Sequence, residues 1–137
     1  MSRTYPVMLP AVAVLLLMAG CGGSLLGPDL IGTWGGEHIL LTVAWEGATV
    51  EYDCAHGILA QPVVPDPKGN FYVLGTHVFE HGGPLREDEV PDEHPAQYRG
   101  WTDGRRMTLR VTLSDTGQEI GPYELRLGRQ PLLYKCL

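Results

Sequence analysis

Apolar and polar residues alternate along most of the chain after residue 30, which is the pattern of half-buried β-strands. The alternation is cleanest over residues 48–54 and 106–114. A strand places successive side chains on opposite faces, so one face of each segment is predicted to point into a core. The residues on that face are Ala48, Val50, Tyr52 and Cys54 in the first segment and Met107, Leu109, Val111 and Leu113 in the second.

Further strands are predicted by less regular segments, and no segment favours a helix. These cover residues 33–45, 57–61, 70–81, 96–102, 118–129 and 132–136. Turn sequences such as Asp103-Gly104 separate them and suit sequential antiparallel pairing. The predicted fold is an all-β domain over residues 30–137, a small antiparallel meander barrel of seven to eight strands, with a sandwich as the alternative.

The first twenty residues have the three-part layout of a secretory signal. Arg3 precedes an apolar stretch over residues 7–18, and the small residues Ala19 and Gly20 follow. A helix that spans a bilayer needs about 20 apolar residues, so this stretch is too short for a permanent anchor. We expect residues 1–20 to be a cleaved signal peptide.

Met18-Ala19-Gly20-Cys21 resembles the bacterial lipobox. The resemblance implies that Cys21 receives diacylglycerol, becomes the new N-terminus and anchors the protein in a membrane of the cell envelope, where added palmitate is also expected. Residues 21–29 then form a flexible tether. In Gram-negative lipoproteins of this kind, an Asp after the cysteine favours retention in the inner membrane. This chain has Gly22 at that position, which favours the outer membrane. The alternative is an ordinary signal peptide with a chance cysteine beside its cleavage site.

The net charge limits the classes of binding partner, and the number of cysteines limits the possible disulfide pairing. Without Arg3 the chain has nine basic and sixteen acidic residues, a formal charge of −7, which disfavours nucleic acid and anionic lipid head groups as partners. If Cys21 is acylated, Cys54 and Cys136 remain as a pair in an oxidising compartment, which favours a disulfide. A thiol activated in Cys54-Ala55-His56 is the less favoured alternative.

Gly32-Thr33-Trp34 resembles the Gly-x-Trp start of lipocalin-like barrels. The resemblance implies that Trp34 plugs one end of the barrel, that Arg126 or Arg129 lies over it, and that the interior holds a small apolar ligand. The alternative is a Trp34 that caps the core with no ligand nearby.

The histidines raise the question of a metal site. His77-Val78-Phe79-Glu80-His81 matches the H-x-x-E-H pattern of inverzincins, which requires a helix. The aromatic and β-branched surroundings predict a strand instead, where the two imidazoles are about 13 Å apart and cannot share one zinc. We therefore predict no metal, and keep convergence of all five histidines as an alternative.

No serine elbow or phosphate-binding glycine loop is present, so neither catalysis nor a cofactor is predicted. Two features favour binding instead. Residues 86–93 form an acidic loop that includes Glu87, Asp88 and Glu89, and the segment from Phe71 to Phe79 is apolar on both faces. We expect a non-catalytic envelope lipoprotein that binds another envelope protein; the alternative is a lipocalin-like carrier of a small apolar ligand.

Overall fold

The alternating segments form eight antiparallel strands in the computed structural model of the chain, which describes residue 2 and residues 27–137. Each strand pairs with the next in sequence and the last pairs with the first, so the sheet closes into a meander barrel. The predicted fold class is therefore confirmed. The strands are β1 (Gly32–Gly36), β2 (Ile39–Val43), β3 (Ala48–Tyr52), β4 (Ala55–Leu59), β5 (Asn70–Phe79), β6 (Asp92–Thr102), β7 (Arg106–Leu113) and β8 (Glu119–Leu127).

The predicted signal peptide, Cys21 and the first part of the predicted tether lie outside the described residues. Within the described part of the chain, no helix is long and apolar enough to cross a bilayer.

Inward-facing side chains fill the barrel. The four predicted inward residues of β7 are at most 2 % exposed, as the alternation requires. Trp34 on β1 and Tyr98 on β6 are fully buried and supply the largest side chains of the core. Leu127, the last residue of β8, is 46 % exposed at the end of the strand and does not belong to this core.

The segment predicted as one strand over residues 33–45 is two strands, β1 and β2, that form a hairpin. The chain reverses at Glu37 and His38, and His38 adopts a left-handed backbone conformation with a φ of 64°. Its backbone N–H donates to the carbonyl oxygen of Leu132 at 2.8 Å, a contact from the far end of the chain. The prediction of one continuous strand was wrong: Glu37 and His38 are not typical turn residues, although Gly35 and Gly36 directly precede them.

The C-terminal tail, residues 128–137, lies across the outside of the barrel. The strand predicted over residues 132–136 is not formed; only Leu132 makes an isolated parallel bridge, to Glu37. The tail crosses the outer face of β1 at Gly35, which has no side chain. A Cβ at this position would overlap the carbonyl oxygen of Arg129, so the close approach of the tail requires glycine. Cys136 then joins Cys54 in a disulfide with a Cα–Cα distance of 5.2 Å, as expected.

The meander gives the barrel two distinct ends. The chain enters at residue 27 at one end, here called the proximal end, which also carries the β2–β3, β4–β5 and β6–β7 connections. The opposite distal end carries the β1–β2, β3–β4, β5–β6 and β7–β8 connections and receives the end of the tail. This division decides which of the candidate residues lie together.

Candidate functional site

All five histidines lie at or near the distal end, but four of them face separate carboxylates. His38 Nδ1 lies 2.6 Å from Asp53 Oδ2, and His56 Nδ1 lies 3.1 Å from Glu80 Oε1. The other pairs are His81 with Glu89, and His94 with both Asp92 and Asp115. Among residues 27–137 no three His, Cys, Asp or Glu side chains form a group that could hold a metal.

The motif His77-x-x-Glu80-His81 is divided by the end of β5, which closes at Phe79. His77 points into the barrel and is 1 % exposed, whereas His81 follows the strand on the exposed surface. The predicted strand is confirmed for this segment. The two imidazoles therefore have different environments and do not form a common site.

A lysine of the tail ties the distal end together. Lys135 Nζ lies 2.7 Å from Glu80 Oε2 and 3.1 Å from Glu51 Oε2, and it donates to the carbonyl oxygen of Tyr52 at 2.8 Å. Burial alone would raise the pKa of Glu80, but hydrogen bonds from Lys135 and His56 lower it overall. Glu80 is thus held as a carboxylate between a tail residue and a β4 residue.

An apolar pocket of about 290 Å³ lies next to this network, outside the barrel wall; we call it the distal pocket. Val78 on the outer face of β5 is 8 % exposed and lies at its base, beneath the β5–β6 loop. Leu85 and Val90 of that loop line the pocket and remain 80 % and 85 % exposed. The polar residues around it are His56, Glu80, His81, Arg86, Glu89 and Asp92.

The loop that covers this pocket is held by its own polar contacts. His81 is hydrogen-bonded to both Glu89 and the carbonyl oxygen of Gly82, and these contacts raise the pKa of His81. The backbone N–H of Arg86 donates to Glu89 Oε2 at 3.3 Å. Glu89 therefore links His81, at the start of the loop, to the backbone at Arg86 in its middle.

Two further polar side chains, His77 and Tyr52, lie inside the barrel and are separate from the polar residues around the distal pocket. Neither ring nitrogen of His77 has a hydrogen-bond partner in the described structure, and the same holds for the hydroxyl of Tyr52, whose ring centroid is 5.1 Å away. The hydroxyl of Tyr98 is satisfied, because it donates to the carbonyl oxygen of Thr76 at 2.6 Å. Burial lowers the pKa of His77, and the charges of His94 and His56 lower it further.

Replacing His77 with leucine is expected to stabilise the protein by about 1–2 kcal/mol at pH 7.5, because it removes a buried imidazole without partners. The gain should increase as the pH falls below 6.5, the ordinary pKa of histidine. There the unfolded wild-type chain binds a proton at residue 77 and the folded one does not, so folding of the wild type weakens. Urea unfolding of both proteins between pH 5 and 8 measures the difference.

His94→Gln is the matched control for this prediction, since its carboxylate partners raise the pKa of His94. The stability that His94 adds is present below pH 6.5 and is lost as the pH rises through the folded-state pKa, the opposite dependence. A constant difference between His77→Leu and wild type across this range would contradict the account of His77.

The residues predicted to bind a partner are distributed over both ends. Trp34 is buried at the proximal end and Phe71 is 6 % exposed within the core. Phe79 lies at the distal pocket, next to His77 and His94, and Glu89 lines the same pocket. Glu87 and Asp88 are exposed on the loop beside it.

Sequence reasoning missed three parts of the distal pocket: His56, Glu80 as its partner, and the apolar loop residue Leu85. His56 reaches the pocket because β4 pairs with β5 in the register His56 to Val78. The available signal was the apolar outer face of β5, of which Val78 lies in the pocket while Tyr72 and Leu74 stay 50 % exposed.

Fold and site together describe a small closed meander barrel with a filled interior and an apolar pocket on its outer wall. No family model, curated protein or solved structure matches this chain.

Proposed function

We propose that this protein is a lipid-anchored envelope lipoprotein that binds another envelope protein, without catalysis, through the distal pocket. The observation that carries the proposal is the position of that pocket at the end of the barrel opposite residue 27. If Cys21 is acylated, residues 21–26 connect the lipid to the barrel and span at most about 20 Å. The proximal end then stays at the membrane and the distal pocket faces away from it.

The filled interior supports a protein-binding role over a lipocalin-like carrier. A ligand-sized cavity would leave accessible surface on the side chains that line it. The inward side chains of β1, β2, β3, β6 and β7 leave almost none: Trp34, Ile39, Val50, Tyr98, Leu109 and Val111 are each at most 1 % exposed. Binding surface is available on the outer wall instead.

The distal pocket has the composition of a protein-binding site. Protein interfaces have an apolar centre surrounded by polar residues, and the centre supplies most of the binding energy. Here Val78, Leu85 and Val90 form the apolar centre, and charged residues surround them. Glu87 and Asp88 make no ion pair with any described residue, so they favour a partner that presents basic side chains around an apolar anchor.

The test is site-specific photo-crosslinking in cells with a photoreactive amino acid at position 87 of the acidic loop. We expect one discrete adduct with an envelope protein. The double change Leu85→Ser/Val90→Ser should abolish it and weaken the purified complex at least about tenfold, because two apolar anchors are truncated. Both side chains are largely exposed, so the fold should tolerate the change.

A photoreactive residue at position 110, an exposed arginine on β7, is the matched control. Equal crosslinking from positions 87 and 110, or an adduct that persists in the double variant, would show that the distal pocket is not the binding site.

A further inference from the structure

Basic residues are concentrated at the proximal end, although the chain as a whole is acidic. Arg105 and Arg106 come from the β6–β7 connection and the start of β7, and Arg126 and Arg129 come from the end of β8 and the residues after it. Arg105, Arg106 and Arg126 line one concave surface, and Arg106, Arg126 and Arg129 line a second one beside Trp101. We call these four residues the arginine patch.

Two carboxylates face the arginine patch, Asp103 and Glu124. Asp103 Oδ1 accepts the backbone N–H groups of Arg105 and Arg106 at 2.9 and 2.8 Å, and Asp103 Oδ2 lies 3.5 Å from Arg106 Nε. Within the patch, four arginines against these two acids leave a formal charge of +2, whereas the acids Asp29, Glu46 and Asp66 lie elsewhere on the proximal end. The distal end, with its many carboxylates, has the opposite sign.

The other side of the proximal end carries an exposed tryptophan among mainly apolar residues, with the acids Asp29 and Glu46 beside it. Trp45 lies after β2 at the tip of the β2–β3 hairpin and is 78 % exposed. Val64 and Ile31 line the same surface and are 54 % and 36 % exposed. An exposed tryptophan flanked by aliphatic residues is suited to the interface between lipid head groups and acyl chains.

The chain leaves the barrel between these two surfaces. The backbone N–H of Gly27 donates to the carbonyl oxygen of Pro65, which lines the Trp45 surface. A Cβ at Gly104, next to Arg105, would lie 3.3 Å from Pro28. The segment that continues to Cys21, six residues away, therefore begins in the middle of the proximal end.

We propose that the proximal end is a membrane-docking surface for anionic phospholipid, with Trp45 among the head groups and the arginine patch on the lipid phosphates. The proposal rests on the proposed anchor at Cys21, which keeps this end within about 20 Å of the bilayer. It also revises the expectation from net charge that anionic lipid is disfavoured, because four arginines lie together in one patch of this face. Docking holds the barrel upright and presents the distal pocket outward.

The experiment uses acylated protein purified from membranes and reconstituted into vesicles of phosphatidylcholine and phosphatidylglycerol at a ratio of three to one. A fraction of the lipid carries bromine on its acyl chains, which quenches only tryptophans that reach the bilayer. We expect quenching in the wild type, loss of most of it in Trp45→Phe, and partial loss at high salt because surface charges are screened. Trp34 is fully buried and adds a constant background, and Trp101, which is 43 % exposed beside the arginine patch, is replaced by phenylalanine in every protein compared so that it does not contribute.

The charge component is tested by Arg126→Gln/Arg129→Gln, with Arg86→Gln/Arg110→Gln as the control of equal net charge. Each arginine near an anionic surface contributes roughly fivefold to binding, so the first pair should shift docking about thirtyfold. The control pair, at the distal loop and the middle of β7, should match the wild type. Pure phosphatidylcholine vesicles should reduce the difference between the pairs.

Mass spectrometry of the N-terminal peptide distinguishes failure of the proposed lipid anchor from failure of the proposed docking surface. If Cys21 carries no lipid, the proposed anchor fails. If Cys21 is acylated but Trp45 is not quenched, or if both arginine pairs behave alike, the docking surface is wrong and the anchor stands. Protection of Trp45 only when other envelope proteins are present would assign the proximal end to a protein partner and overturn the docking proposal.

Discussion

Removing the Cys54–Cys136 disulfide is expected to lower the free energy of unfolding by about 4 kcal/mol on the chain-entropy model. The two cysteines are 82 residues apart in sequence, so the bond restricts a long loop in the unfolded chain. Their Cα atoms are 5.2 Å apart, within the range that a disulfide spans without backbone movement. A loss of this size is a large fraction of the stability of a single domain.

The same change should loosen the tail before the barrel unfolds. Besides the disulfide, the tail is held at the distal end by hydrogen bonds from the backbone N–H groups of Tyr134 and Cys136 to Asp53. Lys135 adds its ion pairs with Glu51 and Glu80, which are partly exposed and individually weak. We expect rapid hydrogen exchange over residues 133–137 of the Cys54→Ser/Cys136→Ser variant, with β5 to β7 still protected.

Urea unfolding under non-reducing conditions measures the stability change, and Cys21→Ser serves as the control because it leaves the pair intact. A double variant within about 1 kcal/mol of this control would contradict the prediction, since the chain-entropy model requires several times that value.

Strands with strict alternation could be predicted, and turns closed by distant contacts could not. Residues 106–114 place every second residue in the core, and this pattern is visible in the sequence without any partner strand. The β1–β2 reversal depends on His38, whose N–H is satisfied by Leu132 from the tail. No local signal reports that contact, so residues 33–45 resemble one continuous strand.

The distal pocket could be predicted from the sequence only in part, for the same reason. The sequence identifies the acidic loop, which covers the pocket, and the apolar β5 segment, whose last two residues, Val78 and Phe79, line it. It does not identify His56, because that residue arrives through the register between β4 and β5. It also leaves the histidines unresolved, since only the folded chain shows that His38, His56, His81 and His94 face different carboxylates.

Trp34 lies near the proximal opening, and neither of the two arginines that the resemblance to lipocalin-like barrels implied covers it. Arg126 pairs in register with Gly35, the residue after Trp34, so its side chain lies on the outer face of the sheet. Arg129 follows the strand and is exposed. Trp34 is covered instead by the incoming chain, because its Nε1–H donates to the carbonyl oxygen of Leu30 at 2.8 Å.

Trp34→Ala is therefore expected to lower the free energy of unfolding by about 3–5 kcal/mol, the usual cost of removing a fully buried tryptophan. Two effects add up: the change leaves a cavity in a core position with no exposure, and it leaves the buried carbonyl of Leu30 without its donor. Trp34→Phe should have an intermediate effect, because it keeps most of the packing and loses the hydrogen bond. Urea unfolding followed by circular dichroism measures all three proteins.

Trp45→Ala separates a core role from a surface role, since Trp45 is 78 % exposed and its removal should change stability by less than about 0.5 kcal/mol. Equal losses for the two alanine variants would contradict the assignment of Trp34 as the plug of the proximal end.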